Sequence, residues 1–168
     1  EQARCVAQWF RDQGKTLDAV YSSPYLRTLQ TAEQFGHAIR VESGLCEGWH
    51  KKVEDPGQSA QHIPYIDLDY QSVVQARHGE LYPGEYMTRV TTCAKYFGQH
   101  EHGNMLFVSH AGTSLVFAAT LLNIPAMRLG KFGVCDVIHI DRFADGTFHL
   151  IHKFTPHQFP TITPPWGF

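Results

Sequence analysis

The stretch Ser22-Ser23-Pro24-Tyr25-Leu26-Arg27-Thr28-Leu29-Gln30-Thr31-Ala32 turns a buried strand directly into a helix. Leu17 to Tyr21 reads as a short apolar strand, Ser23 is the residue type of a helix N-cap, and Pro24 suits a first helical position. Arg27 then falls close to the helix N-terminus, where free backbone N–H groups and the helix dipole already favour an anion. A second stretch, Val108-Ser109-His110-Ala111-Gly112, repeats the arrangement. Met105 to Val108 is an apolar run and Thr113 onward reads as helix, which leaves His110 at the mouth of the turn. The small residues that follow it let a ligand approach the backbone. An arginine and a histidine at the ends of two strands describe a pocket for an oxyanion such as phosphate.

Outward from these two turns, strands and helices alternate. Residues 1–14 predict a helix with Cys5, Val6, Trp9 and Phe10 on one face and Gly14 as its stop. The Arg27 helix runs to about His37, and Ile39 to Val41 is a short second parallel strand. Between residues 43 and 83 periodicity fails, and Pro56-Gly57 and Pro64 mark an irregular insertion of the kind that forms lids or binding walls. Gly84 to Phe97 is helical, strand 105–108 and helix 113–123 follow, and Val134–Ile140 with Phe148–Phe154 form a hairpin about Ala144-Asp145-Gly146. From Thr155 the proline-rich tail is extended. The fold class expected is α/β: a three-layer sandwich with a mostly parallel central sheet and an antiparallel edge. Ligands in such folds bind beyond the carboxyl ends of the strands, where Arg27 and His110 both fall.

Composition narrows the functional classes. The 168 residues suit one domain, residues 1–168, and the 43% apolar content supports an ordinary packed core. A formal charge of −2 argues against nucleic-acid or anionic-membrane partners. The four cysteines (Cys5, Cys46, Cys93, Cys135) show no C-x-x-C spacing, which favours free thiols and a cytoplasmic location. The apolar window Met105–Met127 is interrupted by Ser109, His110 and Asn123, so it reads as a buried strand and helix rather than a membrane span.

The two motifs resemble those of the histidine phosphatase (phosphoglycerate mutase-like) superfamily, whose pattern includes S-S-P-x-x-R-x-x-Q-T-A and a later V-S-H-G/A-G/S. Gln2-Ala3-Arg4 is similar to the family's Q-A segment, and Gly44-Leu45-Cys46-Glu47-Gly48-Trp49 resembles its L-x-E-x-x region. Ile66-Asp67-Leu68-Asp69-Tyr70, Glu85-Tyr86-Met87-Thr88-Arg89 and the terminal Thr161-Ile162-Thr163 and Trp166-Gly167-Phe168 look most like the branch of suppressor-of-T-cell-receptor-signalling and ecdysteroid-phosphate phosphatases.

The resemblance implies a metal-independent, cofactor-free phosphatase that transfers a phosphoryl group to an imidazole and then to water. Arg27 would clamp the phosphate with its planar fork, and His110 would donate to a non-bridging oxygen. The family's phosphoacceptor lies in an R-H-G motif upstream of the Q-A helix, so it is expected before Glu1. Arg77-His78-Gly79-Glu80 follows the Arg27 motif instead of preceding it and reads as a coincidence. For the general acid, Glu80 is the choice, because Gly79-Glu80-Leu81-Tyr82 resembles the family's G/A-E-S-Y. Glu85 is the rival, although its place one turn before Arg89 suits an ion pair with it. Glu47 and Trp49 could shape a pocket rim or simply pack within the insertion.

Trp49, Tyr65, Tyr70 and Tyr82 could stack on a substrate ring, which points to phosphotyrosine protein or a hydrophobic small phosphoester. A phosphoglycerate mutase fits the middle segment less well. The alternative class is a catalytically weak or inactive domain used for dimerisation or phospholigand binding, and a homodimer is compatible with either.

Overall fold

Three short strands, β1 (Ala19–Ser22), β2 (Ile39–Val41) and β3 (Met105–Val108), pair in the order β2-β1-β3, all parallel. They belong to a computed structural model that describes residues 1–47, 63–75, 80–81 and 83–155. Among the described residues four α-helices alternate with or follow the strands: α1 (Gln2–Asp12), α2 (Leu26–Glu33), α3 (Gly84–His100) and α4 (Ala111–Leu122).

The period of two along each strand sorts side chains into layers. Val20, Leu106 and Val108 pack on one face with Leu29, Ala32 and Ile39, beneath α2. Tyr21 and Phe107 point the other way, into Val90, Cys93, Ala94 and Phe97 of α3 and Phe117 of α4. Tyr21 and Phe107 stack with centroids 5.2 Å apart. The result is helix, sheet, helix, as the alternation predicts.

The last two strands, β4 (Val137–Arg142) and β5 (Phe148–Phe154), form the expected antiparallel hairpin. It is a separate two-stranded sheet, not an edge of the parallel one. The reason is α4: it carries Phe117 toward the parallel sheet and Ala118 and Ala119 toward Ile138 and Ile140 of the hairpin. A helix buried on both sides keeps the sheets apart. At the other end of the hairpin, Phe154 meets Trp9 of α1 with centroids 4.5 Å apart.

Helix boundaries differ from expectation at α2. It begins at Leu26, with Tyr25 as an extended N-cap residue and no side-chain cap, and it ends at Glu33 rather than His37. Ser23 remains strand-like, since its N–H donates to Val108 O at 3.0 Å. Thr28 Oγ1 instead secures the turn, donating to Ser23 O (2.8 Å) and Tyr25 O (2.7 Å).

Part of the expected irregular insertion is ordered against the sheet. Ile66 forms a parallel bridge with Ile39, supported by Asp67 N–H donating to Ile39 O at 2.9 Å. Glu42, fully buried after β2, gathers this region. Its carboxylate accepts from Gly44 N (2.7 Å), Tyr70 OH (2.7 Å), Ser72 Oγ (2.8 Å) and Val73 N (2.8 Å). A buried carboxylate with this many donors is a structural anchor. Trp49, Pro56-Gly57, the Arg77-His78-Gly79 string, Tyr82 and the tail beyond Thr155 lie outside the described residues.

Candidate active site

Strands β1 and β3 run in register, Ser22 opposite Val108, and their pairing continues one step through Ser23 N and Val108 O. Both chains then turn into helices at the same end of the sheet, α2 over one face and α4 over the other. Arg27 is the second residue of α2, and His110 is the N-cap residue of α4. The His110 ring does not cap its own helix; it swings across to the neighbouring turn. Arg27 Nη2 donates to His110 Nδ1 at 2.9 Å and to Glu47 Oε2 at 2.5 Å. The same Glu47 oxygen stands 3.6 Å from His110 Nδ1. On the inner side, His110 Nε2 lies 2.9 Å from Ser23 Oγ. Tyr25 closes the rear, with its ring edge-on to the imidazole at 4.9 Å and 4.6 Å beneath the guanidinium carbon of Arg27.

The electrostatics follow from this burial. Desolvation of the ring, reinforced by the positive charges of Arg27 and Arg89, pushes His110 down to about 3. The imidazole is therefore neutral near pH 7, and its approach to Glu47 is not an ion pair. The ion pair is Arg27–Glu47, whose side chains are 56% and 44% exposed. Half-exposed pairs of this kind contribute at most about 1 kcal/mol, so little holds the guanidinium against an incoming dianion.

Behind the pocket, Arg89 ties the neighbouring backbone down. Its guanidinium donates to Ser43 O (3.1 Å), Gly44 O (2.9 Å) and Cys46 O (3.3 Å), and both Glu80 carboxylate oxygens receive it at 2.7 and 2.8 Å. Thr113 Oγ1 donates to Cys46 O at 3.0 Å and Ser109 Oγ to Leu45 O at 2.7 Å. Gly44 is required at its place, because a Cβ there would meet Cys93 Cβ at 2.6 Å and Val74 Cγ2 at 2.7 Å. The turn Ser43–Leu45 is thus fastened by α3 and α4, and Glu47 leaves it pointing at Arg27.

Arg27 and His110, the two residues at the strand ends, are brought together. Arg27 makes its contacts with Glu47 and His110, while Asp18 accepts from Asn104 N. Glu80 stands elsewhere: its two oxygens are engaged by Arg89, and no described hydrogen bond joins it to Arg27 or His110. The expected Glu85–Arg89 pair is not formed. Glu85 instead accepts from Leu81 N at 2.7 Å at the start of α3, and Arg89 turns inward to the carbonyls of the 43–46 turn. Tyr70 is committed to Glu42 and packs edge-on to Tyr21. Tyr65 is exposed.

Two residues of the pocket were not singled out in the sequence. Glu47 carried a signal, its place in the L-x-E-like stretch, but a packing role fitted that stretch equally well. Ser23 was visible only as an N-cap, and nothing local says that its hydroxyl faces a histidine 87 positions away. Among the described residues no group of three or more His, Cys, Asp or Glu side chains could hold a metal ion. No described helix is long and apolar enough to cross a membrane.

Comparison with known proteins agrees with this fold. A fold like this one occurs in the ecdysone phosphate phosphatase of Bombyx mori, solved in complex with tungstate, with TM-score 0.78 and 21% identity over 99% of this chain and 74% of that one. A mycobacterial glucosyl-3-phosphoglycerate phosphatase superposes with TM-score 0.56 and 21% identity, covering 89% of this chain and 82% of its own. In sequence, the ubiquitin-associated and SH3 domain-containing protein A of Mus musculus is 29% identical over a 154-residue alignment that covers 78% of this chain. The chain spans about a quarter of that relative's length (24%). The family model of the histidine phosphatase superfamily (branch 1) matches residues 1–152, a span that includes both strand-to-helix turns, and the chain belongs to that superfamily.

Proposed function

We propose that this chain forms the phosphate clamp and proton donor of a phosphomonoester hydrolase that works through a phosphohistidine intermediate. The observation that carries the reading is the convergence of Arg27 Nη2, His110 Nδ1 and Glu47 Oε2 on one point at the pocket mouth. A phosphomonoester dianion repels an attacking lone pair, so its charge must be spread before the nucleophile can approach. The Arg27 fork takes two equatorial oxygens and stays cationic at any working pH. His110 supplies a further donor. Phosphoryl transfer depends mostly on such positioning and charge stabilisation. Arginine charge does the neutralising in this scheme, so it calls for no metal. The acceptor imidazole is that of the Arg-His-Gly segment which the family resemblance implies.

The leaving oxygen needs a proton, and Glu47 is the donor that the geometry favours over Glu80. Glu47 already reaches the clamp, whereas both oxygens of Glu80 are held by a buried guanidinium. The substrate class is a phosphotyrosine protein or a hydrophobic small phosphoester. The Bombyx mori neighbour, named for ecdysone phosphate, illustrates the second. The four free cysteines fit a reducing cytoplasm.

The test is turnover of an alkyl phosphate and of p-nitrophenyl phosphate by the protein containing this chain, with trapping of phosphate on histidine. Glu47→Gln should lose the alkaline limb of the pH–rate profile, and lose more with the alkyl ester, whose leaving group needs the proton more. Glu80→Gln should keep the shape of the profile. The reverse result would assign the acid to Glu80. No turnover and no trapped phosphate, with phosphate still bound, would favour the ligand-binding module instead.

A further inference from the structure

Ser23 is fully buried, and its hydroxyl is not used to cap α2. Oγ lies 2.9 Å from His110 Nε2, while on the pocket side Arg27 Nη2 lies 2.9 Å from Nδ1. A guanidinium has no acceptor, so Nδ1 must offer its lone pair and the neutral ring must carry its proton on Nε2. Ser23 Oγ then accepts that N–H. Its own hydrogen is then directed away from Nε2.

A bound phosphate dianion reverses the demand. Its oxygens only accept, so Nδ1 has to become the donor. A neutral ring can do this only with its proton on Nδ1, which leaves Nε2 as a lone pair in a place closed to water. An unmatched buried acceptor is costly. A hydroxyl can both donate and accept through a single atom, and Ser23 places one there.

Resting on the reading of Arg27 and His110 as a phosphate clamp, we propose that Ser23 is a positioning residue that lets His110 exchange its Nε2–H tautomer for the Nδ1–H tautomer when a phosphate oxygen docks. The proton balance is neutral. Nε2 gives up one proton and Nδ1 takes one, both exchanged with solvent in transient openings of the site, and the serine O–H turns to Nε2. Alanine at position 23 would remove both halves of this exchange, and a carboxylate, which only accepts, would remove the donating half.

The experiment is nitrogen NMR of the chain with 15N-labelled histidine, without and with inorganic phosphate in mildly alkaline buffer. Wild type should show His110 as the Nε2–H tautomer alone and as the Nδ1–H tautomer with phosphate. Ser23→Ala should bind phosphate roughly tenfold more weakly and should not reach the neutral Nδ1–H form. Ser23→Thr, which keeps the hydroxyl, should follow wild type.

A wild-type ring that stays Nε2–H with phosphate bound overturns the proposal, as does a Ser23→Ala variant that switches and binds like wild type. Both outcomes leave the clamp standing. If phosphate perturbs neither the Arg27 nor the His110 signals, the clamp itself falls and the proposal with it. Should Ser23→Ala not fold, the two wild-type spectra decide alone.

Discussion

Arg27 contributes a fixed charge on a half-exposed side chain, and the proposed clamp asks it to act on an anion rather than on the fold. Its present partners are Glu47 and His110, and neither bond is a strong support for the structure. Arg27→Ala should therefore leave the melting temperature within a few degrees of wild type while phosphate binding is lost. Turnover should fall by about a hundredfold to a thousandfold, the range seen when one donor to a developing charge is removed. Unchanged turnover would remove Arg27 from the site. The residue was legible because an arginine one turn from a serine-proline turn needs only local geometry to be placed. His110 was legible for the same reason. Glu47 was not, since a carboxylate next to a turn has no preferred direction until the tertiary packing supplies one. Ser23 shows a different limit: serine before proline satisfies the pattern of an N-cap, and only the approach of a second strand turns its hydroxyl to another use.

Among the elements, the short turn Ser43–Leu45 sets the position of Glu47. It is wedged against α3 at Gly44 and Cys93, and Arg89 bonds three of the carbonyls that surround it. Gly44→Ala would force the turn away from α3. Overpacking of this kind costs about 1–3 kcal/mol, and the displacement carries Glu47 with it. The variant should melt lower and also lose turnover, most visibly for alkyl phosphates. Normal turnover in a merely less stable protein would show that Glu47 does not depend on the turn. The periodic elements were readable because apolar spacing is a local property: α3, β3 and the terminal hairpin all lie close to expectation. The pairing inside α3 was not. An i, i+4 rule joins Glu85 to Arg89, but a buried cluster of backbone carbonyls competes for the same guanidinium and wins it. Glu80 then accompanies the charge inward. The antiparallel pair was read correctly as a hairpin, but which layer it joins depends on which faces of α4 are apolar.

For the molecule as a whole, His110 couples stability to acidity. Its folded value of about 3 lies below the ordinary 6.5, so between these two the unfolded chain binds one proton more than the folded one. Stability from this group is complete above about pH 6.5 and is lost as pH falls toward 3, at up to about 1.4 kcal/mol per pH unit. Urea titrations from neutral pH into mild acid should show this slope in wild type and a shallower one in His110→Asn. Phosphate, by placing an anion at Nδ1, should raise the ring's proton affinity and flatten the wild-type slope. Equal slopes in wild type and variant would mean that the ring is already free to protonate.

The register of Ser22 against Val108 has a last consequence, for how such a site could change its ligand. Sliding one strand past the other by a single residue would move its turn by about 3.3 Å and throw every side chain to the opposite face. The scaffold can therefore reposition its two grips only in coarse steps, never by fractions of an ångström. Fitting a wider or narrower anion falls entirely to the reach of the side chains mounted on it, and the frame itself stays the same from one ligand to the next.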